Sequence, residues 1–183
     1  RYFFNTGSLV TTAAKRITNE AREIPVIYDE EDVPVMEFGS RRSLSPVETA
    51  KYGYIGGCVG TSLMSAGLKY DIPVMGTMAH SLVTFYDDEV TAFKNFAKSN
   101  PQDCLFLVDT YDTLLSGVPN AIRVFKEMQA SGIKLTKYGI RLDSGDIAYL
   151  TKRARAMLDE AGLTGAVISA SGDLDEHIIQ SLS

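Results

Sequence analysis

"CLFLVD" (residues 104–109), running straight into "TYDT" (110–113), decides the fold class. Five apolar residues follow one another with no polar alternation, the pattern of a strand buried on both faces in a parallel sheet. The run then breaks into hydroxyls and acids. "VPNAIRVFKEMQASG" (118–132) takes up a helical spacing of apolar positions and stops at Gly132. The cycle repeats downstream. "YGIRLD" (138–143) reads as a strand, "SGDIAYLTKRARAMLDEAG" (144–162) as a helix running to a terminal glycine, "AVISAS" (166–171) as a strand, and "DLDEHIIQSL" (173–182) as the start of another helix. Strand and helix in alternation mean βαβ units on a parallel sheet.

The same alternation extends upstream. "SLVTTAAKRITNEAR" (8–22) reads as a helix with Ser8 as its cap, and "PVMEF" (34–38) as a short strand. In "SPVETAKYGY" (45–54), Ser45, Pro46 and Glu48 match a capping box with proline at the first helical position. "GGCVGTS" (56–62) holds a very short strand, a helix runs to Lys69, and "DIPVMGT" (71–77) gives another strand. "DDEVTAFKNFAK" (87–98) carries its acids first and lysines later, as a helix dipole prefers. About six strands result, and none is followed by a GxGxxG fingerprint, so a dinucleotide-binding sheet has little support.

Composition narrows the function classes. The chain has 183 residues, 45% hydrophobic and 22% charged, enough for one globular domain with a sizeable core. A net charge of -5 and no basic stripe argue against nucleic acid. No apolar run approaches a membrane span and no signal peptide opens the chain. Two cysteines, Cys58 and Cys104, sit in apolar settings, which reads as buried thiols in a reducing, cytoplasmic compartment. The chain opens at Arg1 without an initiator Met and stops inside a helical pattern, so a piece of a longer protein is expected.

The chemistry lines up at the strand ends: "EFGSRRS" (37–43), "GTS" (60–62), "GTMAHS" (76–81), "DTYDT" (109–113), "RLDSGD" (141–146) and "SASGDLDE" (169–176). In an α/β barrel such ends share one face, and the active site lies there. Arg41 and Arg42 either fork onto a carboxylate or phosphate or form surface ion pairs. Arg141 and Asp143, two apart, lie on one side of an extended stretch and suit a heterocycle bearing a carboxylate, while Ser144 and Asp146 suit the cap of the next helix. Asp109 and Asp112 serve either metal or ribose oxygens or turn and cap chemistry. Gly172, before a helix, offers backbone N–H groups to a phosphate. His80 is either a satisfied structural histidine or a ligand-facing one, and His177, among acids, reads as solvated surface. No Ser-His-Asp order, HExxH spacing or zinc ligand set appears.

Taken in order, "EFGSRRS", "GTMAHS", "VDTYDT" (108–113), "GIRLDSGD" (139–146) and "ASGDLDE" (170–176) resemble the nicotinate phosphoribosyltransferase family, and the likeness runs from "TTAAKRI" (11–17) to the end. The resemblance implies transfer of phosphoribosyl from phosphoribosyl pyrophosphate to nicotinate, giving nicotinate mononucleotide and pyrophosphate in NAD salvage. The resemblance also implies coupled ATP hydrolysis and a part for Mg2+. It implies the irregular TIM-like α/β barrel of the type II phosphoribosyltransferases and a homodimer with a shared active site. Residues 1–183 would be one partial catalytic barrel domain, with the N-terminal domain and last barrel strands outside it. By itself such a piece could not close its barrel, would lack activity and would expose sheet edges.

Carried residue by residue, the resemblance makes His80 a transient phosphohistidine. Thr77 would contact nicotinate or ribose phosphate, Arg141 the substrate, and Asp143 the ring or ribose. Phe38 would stack on the pyridine, Arg41 would meet an anionic group, and Arg42 a phosphate or ribose. Asp109 would approach ribose or magnesium, and Gly172 and Asp173 the ribose 5-phosphate or its hydroxyls. Ser62 replaces the aspartate that the nicotinamide-using relative places there, which favours the acid over the amide. The alternatives are a nicotinamide or quinolinate enzyme of the same fold and a non-catalytic barrel piece that binds a phosphorylated ligand. An aldolase-like barrel is disfavoured, because Lys134 and Lys137 lie at the wrong end of their strand.

Overall fold

The computed structural model describes residues 2–22 and 33–182. The chain divides into two compact units, Arg1–Gly76 with Leu174–Ser183, and Thr77–Asp173. Among the described residues every strand pairing is parallel, in one two-stranded and one three-stranded sheet, so the α/β, parallel-sheet expectation holds.

In the first unit, helix α1 (Tyr2–Arg22) packs on α2 (Pro46–Ile55). Buried Thr18 donates its hydroxyl to the Gly56 carbonyl at 2.9 Å, satisfying a carbonyl at the end of α2. Only a glycine fits there, since a Cβ at Gly56 would stand 2.5 Å from that of Ala14. Strands β1 (Met36–Glu37) and β2 (Gly60–Thr61) pair in parallel, extended by a single bridge from Thr61 to Val74. That bridge is all that appears of the strand expected over 71–77. Glu37 ties the strands together: one carboxylate oxygen accepts from the Gly39 N–H at 2.6 Å, the other from the Thr61 hydroxyl at 2.7 Å. Helix α3 (Met64–Tyr70) follows β2.

Two capping expectations in this unit fail. Helix α1 runs through Ser8 rather than starting there. Ser45 precedes α2, with Pro46 first in the helix as expected, but its side chain makes no capping bond. Its backbone N–H is taken by the Ser43 hydroxyl, and Glu48 accepts from Lys69 and Tyr70 instead of closing a capping box. A cross-helix partner has outcompeted the local one.

The second unit is built on β3 (Asp103–Leu107), β4 (Lys137–Leu142) and β5 (Val167–Ala170), in that order across the sheet. Helix α4 (His80–Phe85), which the sequence pattern did not announce, precedes α5 (Glu89–Ser99). Asp88 caps α5 by accepting from the Thr91 N–H at 2.8 Å. Crossover helices α6 (Val118–Ala130) and α7 (Ile147–Glu160) link the three strands. The core is aromatic: Phe106 of β3 stacks between Phe93 of α5 and Phe125 of α6, with ring centroids 4.6 and 4.7 Å away. Ile140 and Leu142 of β4 and Leu158 of α7 are fully buried beside it. Cys58 and Cys104 are buried free thiols, and burial pushes them up to about 11 and about 12. Both stay protonated near neutral pH.

A π-helical turn, Thr113–Gly117, leads from β3 into α6. A Cβ at Gly117 would come 1.8 Å from the Val108 carbonyl oxygen, a backbone atom that cannot swing aside. Gly117→Ala is therefore expected to lower stability by about 3 kcal/mol, the upper end of overpacking costs. Chemical unfolding of the full-length protein carrying this chain checks it; an unchanged midpoint would mean the turn yields at no cost.

Candidate functional site

The register of the three-stranded sheet assembles the site. Leu107 pairs with Arg141 and Leu142 with Ala170, and the ladder continues past the strand ends. The Val108 N–H reaches the Arg141 carbonyl at 3.2 Å, and the Ser171 N–H reaches that of Leu142 at 2.8 Å. Asp109, Asp143 and Ser171 thus leave adjacent strands side by side. Strand alternation sends Ile140 and Leu142 into the core and turns Arg141 the other way.

Arg141 is the hub. Its Nε donates to Ser171 Oγ at 2.8 Å, Nη1 to Thr77 Oγ1 at 2.7 Å and Nη2 to Asp143 Oδ1 at 2.6 Å. Ser171 donates in turn to Asp143 Oδ1 at 2.5 Å. Asp109 holds the next strand end through one oxygen: Oδ2 accepts from the Asp143 N–H at 2.8 Å and the Ser144 hydroxyl at 2.6 Å. Its other oxygen, Oδ1, is buried and has no hydrogen-bond partner.

His80 begins α4 and faces this edge. Nδ1 lies 3.0 Å from Thr110 Oγ1. Nε2 lies 3.7 Å from Asp109 Oδ1 and 3.6 Å from Asp143 Oδ2. Its side chain is 42% exposed, so it is not a core histidine. The arrangement offers one imidazole nitrogen, two carboxylate oxygens and a braced guanidinium at one edge, which suits an anionic ligand accompanied by a cation. Asp109 Oδ1 and Asp143 Oδ2 match the hard-oxygen chemistry of Mg2+, which takes one or two carboxylates plus ligand phosphates. No group of three or more His, Cys, Asp or Glu side chains among the described residues is set to hold a metal by protein atoms alone.

Of the residues singled out from sequence, Thr77, His80, Asp109, Arg141 and Asp143 converge within this unit. Gly172 joins through its backbone: at φ +91 its Cβ position lies 2.2 Å from the Asp143 carbonyl oxygen, so a side chain is excluded. Asp173 follows at φ 52. Asp112 is a cap, accepting from the Leu114 and Leu115 N–H groups, and Asp146 caps α7 through the Tyr149 N–H. His177 is exposed. Phe38, Arg41, Arg42 and Ser62 belong to the first unit. Ser62 donates its N–H to the Glu37 carbonyl, next to Phe38, and both arginines are exposed on a single 3-10 turn, Ser40–Arg42.

Three side chains of the cluster lie outside the site residues that the sequence points to. Ser144 was read as a helix cap and binds Asp109. Thr110 and Ser171 were passed over for their acidic or glycine neighbours, although each adjoins a residue that was chosen. A hydroxyl next to a strand-end acid is the signal that would have found them.

Partial burial pushes the Asp143 carboxyl up, but the Ser171 hydroxyl, the charge and hydrogen bond of Arg141, and nearby His80 outweigh it, so Asp143 titrates below the ordinary aspartate value. A depressed carboxyl stabilises the fold above its unfolded value, about pH 4, and that contribution is lost as pH falls through the depressed value. Asp143→Asn is expected to be less stable than wild type at neutral pH, with the difference shrinking between about pH 5 and pH 2. Denaturant unfolding across that range measures it, and a pH-independent difference would contradict the assigned charge network.

Comparison with known proteins agrees with the motif order. The model of the nicotinate phosphoribosyltransferase (NAPRTase) family matches residues 33–178. The nicotinate phosphoribosyltransferase of Bacillus subtilis is 52% identical over 182 residues, covering 97% of this chain and 34% of that protein. Nicotinate phosphoribosyltransferase pncB2 of Mycobacterium tuberculosis is 41% identical, covering 96% of this chain and 35% of that protein. Among solved structures, human nicotinic acid phosphoribosyltransferase superposes with a TM-score of 0.71 at 25% identity, over 96% of this chain and 44% of that one. A nicotinate-nucleotide pyrophosphorylase from Pyrococcus furiosus gives 0.74 at 27% identity, over 96% and 43%. The chain spans about a third of the length of these curated relatives. With the family model matched over most of its length, the chain belongs to the nicotinate phosphoribosyltransferase family.

Proposed function

We propose that the full-length protein carrying this chain transfers phosphoribosyl from phosphoribosyl pyrophosphate to nicotinate, releasing nicotinate mononucleotide and pyrophosphate, with ATP hydrolysis coupled through His80. The observation that carries this reading is the strand-end cluster itself. His80 faces Asp109 and Asp143, beside a guanidinium braced by Thr77, Asp143 and Ser171.

The chemistry asks for such a cluster. Glycosyl transfer from this donor passes through an oxocarbenium-like state with departing pyrophosphate, so positioning and fixed charge matter more than a strong acid or base. Arg141 binds the anionic substrate in a fixed plane, because three of its nitrogens are already oriented by protein oxygens. Asp143, held ionised by its neighbours, faces the developing positive charge or the ribose hydroxyls. Asp109 and Asp143 would hold Mg2+ through Oδ1 and Oδ2, and the ion would neutralise departing phosphate charge. Gly172 and Asp173 follow β5 and offer backbone N–H groups to the ribose 5-phosphate. Phe38, Arg41 and Arg42 keep the ring-stacking and anion-binding roles that the family likeness implies.

The same reading makes residues 1–183 part of an irregular TIM-like catalytic barrel, in a cytoplasmic homodimer whose subunits share active sites. No described helix is long and apolar enough to cross a membrane. Ser62 supports nicotinate over nicotinamide, since a neutral hydroxyl does not repel the carboxylate.

Nicotinate mononucleotide formation by the full-length protein, with and without ATP, tests the proposal. Nicotinamide and His80→Ala are run in parallel. Product from nicotinate, raised by ATP, with the rise lost in His80→Ala, is expected. No product from either pyridine would overturn the enzymatic reading. An ATP effect intact in the variant would return His80 to a structural role. In the same assay Ser62→Asp is expected to cut kcat/KM for nicotinate by at least about tenfold, or ~1.4 kcal/mol. An unchanged value would remove Ser62 from substrate choice.

A further inference from the structure

The two ring nitrogens of His80 have different surroundings: Nδ1 meets Thr110, and Nε2 faces two carboxylates. Nδ1 is 3.0 Å from the Thr110 hydroxyl oxygen, a hydrogen-bond distance. Nε2 is 3.7 and 3.6 Å from carboxylate oxygens of Asp109 and Asp143, beyond one. We propose that Thr110 is a positioning residue that selects Nε2 of His80 as the phosphoryl acceptor. This inference rests on the reading of His80 as the group ATP phosphorylates.

The ring needs such a device. His80 is the first residue of a six-residue helix and its side chain is 42% exposed, so packing does little to fix it. Thr110, by contrast, is held from both sides. Asp109 before it is anchored to the Asp143 N–H and the Ser144 hydroxyl. Two residues on, Asp112 caps the π-helical turn, and Gly117 closes that turn against Val108. Its β-branched side chain adds stiffness at χ1.

The Thr110 hydroxyl can accept from Nδ1–H or donate to Nδ1, and either bond turns Nε2 toward the carboxylates; the transfer uses the form in which it accepts, whose lone pair is on Nε2. The carboxylates flank the space in front of that lone pair, where a cation-bearing triphosphate would sit. The Nε2 lone pair attacks the terminal phosphorus of the nucleoside triphosphate and an N–P bond forms. The P–O bond to the nucleoside diphosphate breaks, and the diphosphate leaves with the electron pair. The Nδ1 proton stays on the ring, in its hydrogen bond to Thr110. Without the hydroxyl the ring loses the bond that orients it and flips more readily, and Nδ1 competes as acceptor.

The experiment compares the full-length wild-type protein with Thr110→Val, Thr110→Ala and Thr110→Ser. Each is treated with ATP. The linked nitrogen is read by NMR of the phosphohistidine, and the nicotinate rate with ATP is divided by that variant's own rate without ATP. Wild type and Thr110→Ser are expected to carry the phosphoryl group on Nε2 and keep the ATP effect. Thr110→Val and Thr110→Ala are expected to lose on the order of five- to tenfold of that ratio, the scale of one hydrogen bond, and to show the Nδ1 isomer. Thr110→Ala keeps the test open if valine prevents folding. Phosphoryl on Nδ1 in wild type, or wild-type ratio and isomer in both apolar variants, would overturn the role of Thr110 while leaving phosphohistidine in place. Absence of any phosphohistidine in wild type would instead overturn the acceptor reading of His80, and the inference with it.

Discussion

Parallel register is the constraint on which the second unit depends. Leu107 faces Arg141 and Leu142 faces Ala170, so three chains leave the sheet level with one another. A slip of one residue would turn Arg141 toward the aromatic core and expose Ile140 and Leu142. The buried stack of Phe93, Phe106 and Phe125 makes that slip prohibitive. The hydrophobic pattern that folds the sheet is therefore also what aims the guanidinium, and no separate device is needed to place it.

Once the strand ends are level, their charges must be reconciled. Arg141 is mostly withdrawn from water, and a lone buried cation would be costly. Ser171 answers this by serving both charges, accepting from Arg141 and donating to Asp143. Asp109 works across strands rather than within one: by taking the Asp143 N–H it occupies a backbone donor that the end of β4 would otherwise leave open. The site is thus rigid because its polar atoms complete the ladder the strands began. Rigid strand ends position reacting groups better than free loops do.

Much of this was legible in the sequence. "CLFLVD" and "YGIRLD" declare buried parallel strands because nothing in them alternates, and the acids that follow mark where the chain meets water. The two-residue spacing of Arg141 and Asp143 foretold that they would share a side, and they form an ion pair at 2.6 Å. What the sequence hid depended on tertiary competition. "SPVET" carries every residue of a capping box, yet Glu48 is drawn to Lys69 and Tyr70, 21 and 22 residues away in the chain and invisible to a local pattern. "DIPVMGT" has strand composition, but only Val74 finds a partner. Helix α4 is six residues long, too short to show a period. Thr110 and Ser171 were hidden for a different reason: a hydroxyl is ordinary in any loop, and its importance comes entirely from the atom it faces.

Two buried carboxylates in this unit, Glu89 and Asp109, are each satisfied on one oxygen and unpaired on the other. Glu89 Oε2 accepts from Ser116 and Asn120, joining the start of α5 to the turn and helix after β3. That bond holds together the segments that follow His80 and Thr110, so it steadies the separation on which their hydrogen bond depends. Asp109 uses its paired oxygen in the same architectural way. Its unpaired oxygen differs in having a counterpart, the Nε2 of His80, too distant for a hydrogen bond and close enough to share a ligand. An unsatisfied buried oxygen is a cost of about 1–3 kcal/mol in the resting fold. A cation arriving with a phosphorylated ligand would relieve it, so part of the penalty left at Asp109 returns as binding energy.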